Sequence, residues 1–284
     1  MKKILIPTDF SENAYNAISY AVQLYEDIKC KFYILHTYTP ITISTGGAVG
    51  TYTPMPLHDM EKETAKRKLK EIKERLHTEF GNSKHTFKTI ASFNLLTSAM
   101  KRTIQKKGIN FVVMGTKGAT GAKEIFIGTN TMYAIKKLKC PVIAVPSSFK
   151  YEKPREVLFP TDYKIYKSNR HISFIRELCE AHNSRLHILN VYQGMSLKEK
   201  QQEVEAFLDV FFIDNTHLFH IAEGQELIEA IEAFEKKMKI NFLVMIHNKH
   251  NFFENLLFRP VINQMVYHTN VPFLVIPSEE LINQ

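Results

Sequence analysis

The chain has 284 residues, enough for one large domain or two of ordinary size. With 44% hydrophobic and 23% charged residues it has a globular composition, which excludes a disordered, collagenous or disulfide-stapled chain. Its formal net charge of +8 is split unevenly, +12 over residues 1–150 and −4 over residues 151–284, so a uniformly basic nucleic-acid binder is not expected.

The first apolar run, residues 4–7, has the length of a strand, and Pro7 and Asp9 interrupt it too early for a signal peptide. Ala14, Ile18, Ala21 and Leu24 then share one face of a helix. A second strand follows at residues 32–35. Residues 39–58, rich in Gly, Thr and Pro, read as a long loop of the kind that forms lids or binding loops. Asp59 is the expected N-cap of a helix that buries Ala65, Leu69, Ile72 and Leu76 and turns its Lys and Glu residues to solvent. Further strands are expected at residues 111–114 and 142–145, the latter and residues 274–276 as sheet edges that need cover. No apolar run approaches the ~20 residues of a membrane span. Cys30, Cys140 and Cys179 have no motif spacing, so buried, reduced thiols and a cytoplasmic location are expected.

The chain repeats itself. Ile4-Leu5-Ile6-Pro7-Thr8-Asp9-Phe10 returns as Val157-Leu158-Phe159-Pro160-Thr161-Asp162-Tyr163, and Ile34-Leu35-His36 as Ile188-Leu189-Asn190. Ile109-Asn110-Phe111-Val112-Val113-Met114 returns as Ile240-Asn241-Phe242-Leu243-Val244-Met245, and Pro141-Val142-Ile143 as Pro272-Phe273-Leu274. Four matches in one order give two copies of one domain, residues 1–148 and 154–284. Strands alternating with helices, and lacking polar alternation, predict an α/β class with two doubly wound open parallel sheets. Ligands in such sheets sit beyond the carboxyl ends of the strands, where strand order reverses.

The fourth strand of the first copy leads into Met114-Gly115-Thr116-Lys117-Gly118, and nine residues later Gly128-Thr129-Asn130 opens a helix. Gly115 and Gly118 permit sharp turns and close backbone approach. The helix N-terminus offers free N–H groups and a favourable dipole to a phosphate, and the Thr129 hydroxyl could bind phosphate or cap the helix. No Gly-Lys-[Ser/Thr] follows, so this is not a Walker loop, and no Gly-x-Gly-x-x-Gly follows the first strand. Lys117 and Lys123 could act as point charges for phosphate or simply be surface lysines.

This spacing resembles the universal stress protein family, whose ATP-binding members carry Gly, two residues, Gly, nine residues, Gly-[Ser/Thr] at this place. The resemblance implies a Rossmann-like fold of the adenine nucleotide alpha hydrolase type. It also implies ATP, with Mg²⁺, held by Pro7, Thr8, Asp9, Thr37, Met114, Gly115, Thr116, Gly118, Gly128, Thr129 and Asn130. Cys140-Pro141-Val142 matches the start of the family's last strand, which pairs across a dimer interface, so the two copies could form that dimer internally, with a homodimer also open. The implied role is an ATP-responsive stress-response module acting on an unidentified protein partner, with slow hydrolysis and a non-nucleotide interaction protein as alternatives.

The second copy departs from the motif. Ile246, Lys249, Arg259 and Pro260 stand where the first has Gly115, Gly118, Gly128 and Thr129, so no ATP is expected there. His247 and His250 could share a cation, although ordinary exposed histidines are the simpler expectation. Phe252, Phe253, Leu256, Leu257 and Phe258 could plug the former pocket or form an apolar patch. No nucleophile–base arrangement is present in the sequence, so no catalytic residue is assigned.

Overall fold

A computed structural model describes residues 1–38, 43–45, 48–50, 55–116, 128–192, 196–224, 226–247 and 270–278. The chain divides into two compact units, Met1–Cys140 and Pro141–Gln284.

In the first unit, strands β1 (Lys2–Pro7), β2 (Cys30–Tyr38), β5 (His85–Phe93) and β6 (Phe111–Gly115) form a parallel sheet in the order β6-β1-β2-β5. The chain fills this order from β1 outward to β5 and then returns to the other side of β1, so strand order reverses between β1 and β6. Right-handed crossovers therefore place helices α1 (Glu12–Leu24) and α2 (Met55–Phe80) on one face and α3 (Leu96–Lys107) on the other, with α4 (Thr129–Lys137) packed beside α3. The apolar spacing seen in the sequence is what packs: Ala14, Ile18, Ala21 and Leu24 are buried on α1, and Ala65, Leu69 and Leu76 on α2. The basic face of α2 is solvated and laced with pairs such as Arg67–Glu71 (2.7 Å) and Arg75–Glu79 (2.7 Å), each worth only a few tenths of a kcal/mol.

Two expectations for the insertion change. Residues 43–45 and 48–50 form a short antiparallel pair, β3 (Ile43–Thr45) and β4 (Ala48–Gly50), inside what read as loop. Helix α2 starts at Met55, so Asp59 lies within it rather than capping it; Pro56, with no N–H to satisfy, suits a first helical turn.

The second unit orders its strands β10-β9-β8-β11-β12-β7. They are β7 (Val142–Val145), β8 (Glu156–Pro160), β9 (Arg185–Tyr192), β10 (His217–Glu223), β11 (Phe242–His247) and β12 (Phe273–Pro277). Between them run α5 (Ser173–His182), α6 (Glu199–Phe211) and α7 (Leu227–Met238). All neighbouring strands from β10 to β12 are parallel; β7 joins β12 antiparallel, with Leu274 opposite Ile143 and Val275 opposite Val142. The two runs expected as edges thus cover each other, and among the described residues β10 is the unpaired end of this unit's strand order. All three cysteines are buried, and burial pushes the Cys140 and Cys179 thiols up to about 12 and Cys30 to about 11, so they stay protonated.

Candidate functional site

The loop after β1 is built from short polar side chains. Thr8 is buried; its Oγ1 accepts from the Phe10 N–H (3.0 Å), and its own N–H donates to the Leu35 carbonyl (2.8 Å). These bonds hold Phe10 in the left-handed region at φ +68°, a conformation that costs a non-glycine residue about 1 kcal/mol. Asp9 Oδ1 accepts from both the N–H and the hydroxyl of Ser11 (3.0 and 2.6 Å), and Ser11 caps α1 by accepting from Ala14 N–H. Asp9 is therefore a loop-organising carboxylate, and it is also exposed at the end of β1.

The second unit repeats this construction. Thr161 Oγ1 accepts from Tyr163 N–H (2.9 Å), and Tyr163 takes φ +57°. In the first unit His36 Nδ1 meets the Thr8 carbonyl at 2.8 Å; in the second, Asn190 Nδ2 donates to the Thr161 carbonyl at 2.9 Å. A carbonyl only accepts, so His36 carries its proton on Nδ1. Burial lowers the His36 pKa, the Thr8 carbonyl only partly offsetting it, so the ring is neutral with Nε2 as an acceptor.

At the carboxyl ends of β1, β2 and β6 lies a cavity of about 350 Å³, the lower range of small-molecule sites. It stands at the reversal point of strand order. Pro7, Thr8, Asp9 and Thr37 line its β1–β2 side, and Met114, Gly115, Gly128, Thr129 and Asn130 its β6–α4 side. Thr116 is buried beside the cavity and its carbonyl accepts from the Gly128 N–H, while Gly118, Lys117 and Lys123 lie outside the described residues. That bond uses the Gly128 N–H within the protein, so it is not among the free groups at the start of the helix. The first bond within α4 runs from Met132 N–H to the Gly128 carbonyl (3.0 Å), so helix geometry leaves the N–H groups of Thr129, Asn130 and Thr131 without an intrahelical acceptor. Thr129 makes no side-chain cap; the hydroxyl that ties the helix to the strand is Thr131, donating to the Gly115 carbonyl at 2.7 Å.

Four lining residues are not among the site residues expected from the sequence: Ala14, His36, Leu96 and Thr131. Comparing the repeats could have found His36, since the Asn190 that replaces it keeps the same bond to the threonine carbonyl. Thr131 stands next to the chosen triplet and Ala14 lies in the first turn of α1, just after Asp9, whereas Leu96 enters from α3 and carries no local signal.

At the corresponding place in the second unit, β11 runs on through Ile246, buried and aligned with Ile276, to His247. A branched side chain thus fills the position of Gly115. His247 is buried, not exposed, because the strand continues through it; His250, His268, Lys249, Arg259, Pro260 and the Phe252–Phe258 aromatics lie outside the described residues. Among the described residues no group of three metal-ligating side chains converges.

Comparison with known proteins gives a consistent picture. The family model described as "Universal stress protein family" matches residues 1–146. The chain is similar to a universal stress protein of Methanocaldococcus jannaschii, 27% identical over 146 residues, 51% of this chain and 81% of that protein. It is also similar to the universal stress protein YxiE of Bacillus subtilis, 24% identical over 144 residues, half of this chain and 97% of that one. Among solved structures, a universal stress protein from Archaeoglobus fulgidus superposes with a TM-score of 0.71 at 17% identity, covering 97% of this chain and 98% of its own, a likeness of fold.

Proposed function

The chain belongs to the universal stress protein family, and from that premise we propose that its first unit binds ATP in the cavity between β1 and β6 while its second unit does not. The observation that carries this reading is the meeting of Gly115 and the N-terminus of α4 at one side of a cavity whose other side is Asp9, His36 and Thr37. The N–H groups of Thr129, Asn130 and Thr131 suit the phosphates by donation and by the helix dipole. Strand β2 is two strand spacings, about 10 Å, from β6, which suits His36 and Thr37 to the base end of a nucleotide. Asp9 is the carboxylate lining the cavity; it would be the residue to hold Mg²⁺, which would supply positive charge to offset that of the phosphates. The glycine motif carries no Gly-Lys-[Ser/Thr] to clamp the phosphates and metal, so a binding module with slow turnover is favoured over an enzyme.

In this reading residues 1–148 are the nucleotide-sensing copy and residues 154–284 a degenerate copy, and the antiparallel β7–β12 pairing is the internal counterpart of the dimer contact that the family resemblance implies. ATP would act as a signal read by a protein partner in a stress response, in a cytoplasmic setting. Titration calorimetry tests the site. Wild-type protein should take up one ATP per chain, and a Gly115→Ile, Gly128→Arg variant, which copies the second unit, should take up none while keeping its circular dichroism. Two sites per chain, or undiminished binding by a folded variant, would overturn the proposal.

A further inference from the structure

Strand β10 ends the strand order of the second unit, and among the described residues nothing pairs with its outer edge. Open edges template pairing with other chains, and proteins usually guard them with lysine, proline or a bulge. The outermost strand of the first unit, β5, follows that rule by exposing Thr86, Lys88 and Thr89. Strand β10, His217-Leu218-Phe219-His220-Ile221-Ala222-Glu223, has neither lysine nor proline. It exposes Leu218 (43%) and Ile221 (65%), and just after α6 Ile213 is 73% exposed.

The backbone pattern defines how this edge can be met. Leu186 N–H donates to the Thr216 carbonyl (2.8 Å) while His217 aligns with Leu186. Even-numbered residues of β10 therefore turn their backbone groups to β9, and His217, Phe219, Ile221 and Glu223 turn theirs outward. We propose that this edge pairs with the same edge of a second copy of the chain, antiparallel about a two-fold axis through His220. In that register Phe219 faces Ile221, Leu218 faces Ala222, and His217 faces Glu223 at both ends, with outward backbone groups opposite outward groups throughout. A two-fold between residues would set outward against inward groups. Moving the axis to Phe219 or Ile221 shortens the overlap and sets His217 against Ile221 or Glu223 against Phe219.

Charge supports this register. His217 Nδ1 meets the Asn215 carbonyl (2.9 Å) and Nε2 the Asp209 carboxylate (3.0 Å); desolvation lowers its pKa, but these two acceptors outweigh it and raise the pKa overall, which favours the cation opposite the partner's Glu223. At the axis the two His220 rings meet uncharged. Burial lowers the His220 pKa, His187 and Lys237 lower it further, and its Nε2 is held by His187 Nδ1 (2.9 Å), whose Nε2 donates to Glu156 (2.7 Å).

The test is the mass of the full chain against concentration by sedimentation, with cysteine crosslinking to read the register. A Leu218→Cys, Ala222→Cys double variant sets each cysteine opposite its counterpart in a non-hydrogen-bonded pair, within disulfide reach. The native cysteines are buried and give no background. We expect a covalent dimer on mild oxidation of the double variant and none from either single variant. Ile221→Lys and Glu223→Lys should each weaken the dimer roughly tenfold with thermal unfolding unchanged. A monomer at all concentrations, equal crosslinking by the single variants, or a dimer indifferent to Ile221→Lys in folded protein would each overturn the proposal, the last two by placing the contact elsewhere or with another partner segment. ATP titration of the same variants should be unaltered, which separates this claim from the nucleotide site.

Discussion

At the scale of single residues, the histidines show how environment decides the role of one side chain. His171 is buried, its Nε2 makes no hydrogen bond among the described residues, and burial, with Arg170 nearby, lowers its pKa to about 4. A pKa depressed in the folded state gives stability that is complete above the unfolded value near 6.5 and is lost as pH falls towards 4. Urea unfolding at pH 7 and pH 4.5 should therefore show a loss at the lower pH, of up to about 3 kcal/mol from this group, that is largely absent in His171→Phe. An equal loss in the variant would place the acid sensitivity elsewhere. His36 is lowered as well, so the acceptor it offers at Nε2 persists through neutral pH. Replacing it with Asn, the residue that makes the same bond in the second unit, should leave the fold intact and weaken ATP binding roughly tenfold, about one lost hydrogen bond; unchanged affinity would remove His36 from the site.

At the scale of elements, the two copies solve the same turn with different residues. Helix α3 ends on Gly108 at φ +62°, and α7 ends at the equivalent place on Lys239 at φ +53°. The left-handed cap costs glycine nothing and lysine about 1 kcal/mol. Lys239→Gly should stabilise the protein by about 0.5–1 kcal/mol and Gly108→Ala should destabilise it by about 1 kcal/mol, read from denaturant midpoints; opposite signs would contradict the assigned caps. Elements of this kind were legible in the sequence because strand runs and helix faces declare themselves locally, as the buried faces of α1 and α2 do. The start of α2 was not, because Asp59 is a good N-cap by type, whereas the helix begins at Met55, where Pro56 suits a first turn.

At the scale of the whole molecule, the repeat and the glycine spacing located the cavity, since the order β6-β1-β2-β5 brings the end of β1 beside the end of β6. What the sequence left hidden depends on where the chain folds back on itself: the Thr131 bond to Gly115, the Gly128 bond to Thr116, and the entry of Leu96 from α3. The same holds for the edges. Residues 142–145 and 274–276 read as edges that need cover, and the antiparallel register in which they pair, Leu274 opposite Ile143, is a tertiary fact that neither run carries alone. The divergence between the copies is legible at both scales, as Gly115 against Ile246 in sequence and as a β11 that runs on to His247 in structure.

Hydrogen exchange with and without ATP tests the central claim most directly, because it reads the site amide by amide. The account predicts slowed exchange at Gly115, Thr129, Asn130 and Thr131 and no change at Ile246 and His247. Protection around Ile246, or none at the start of α4 with ATP demonstrably bound, would contradict it.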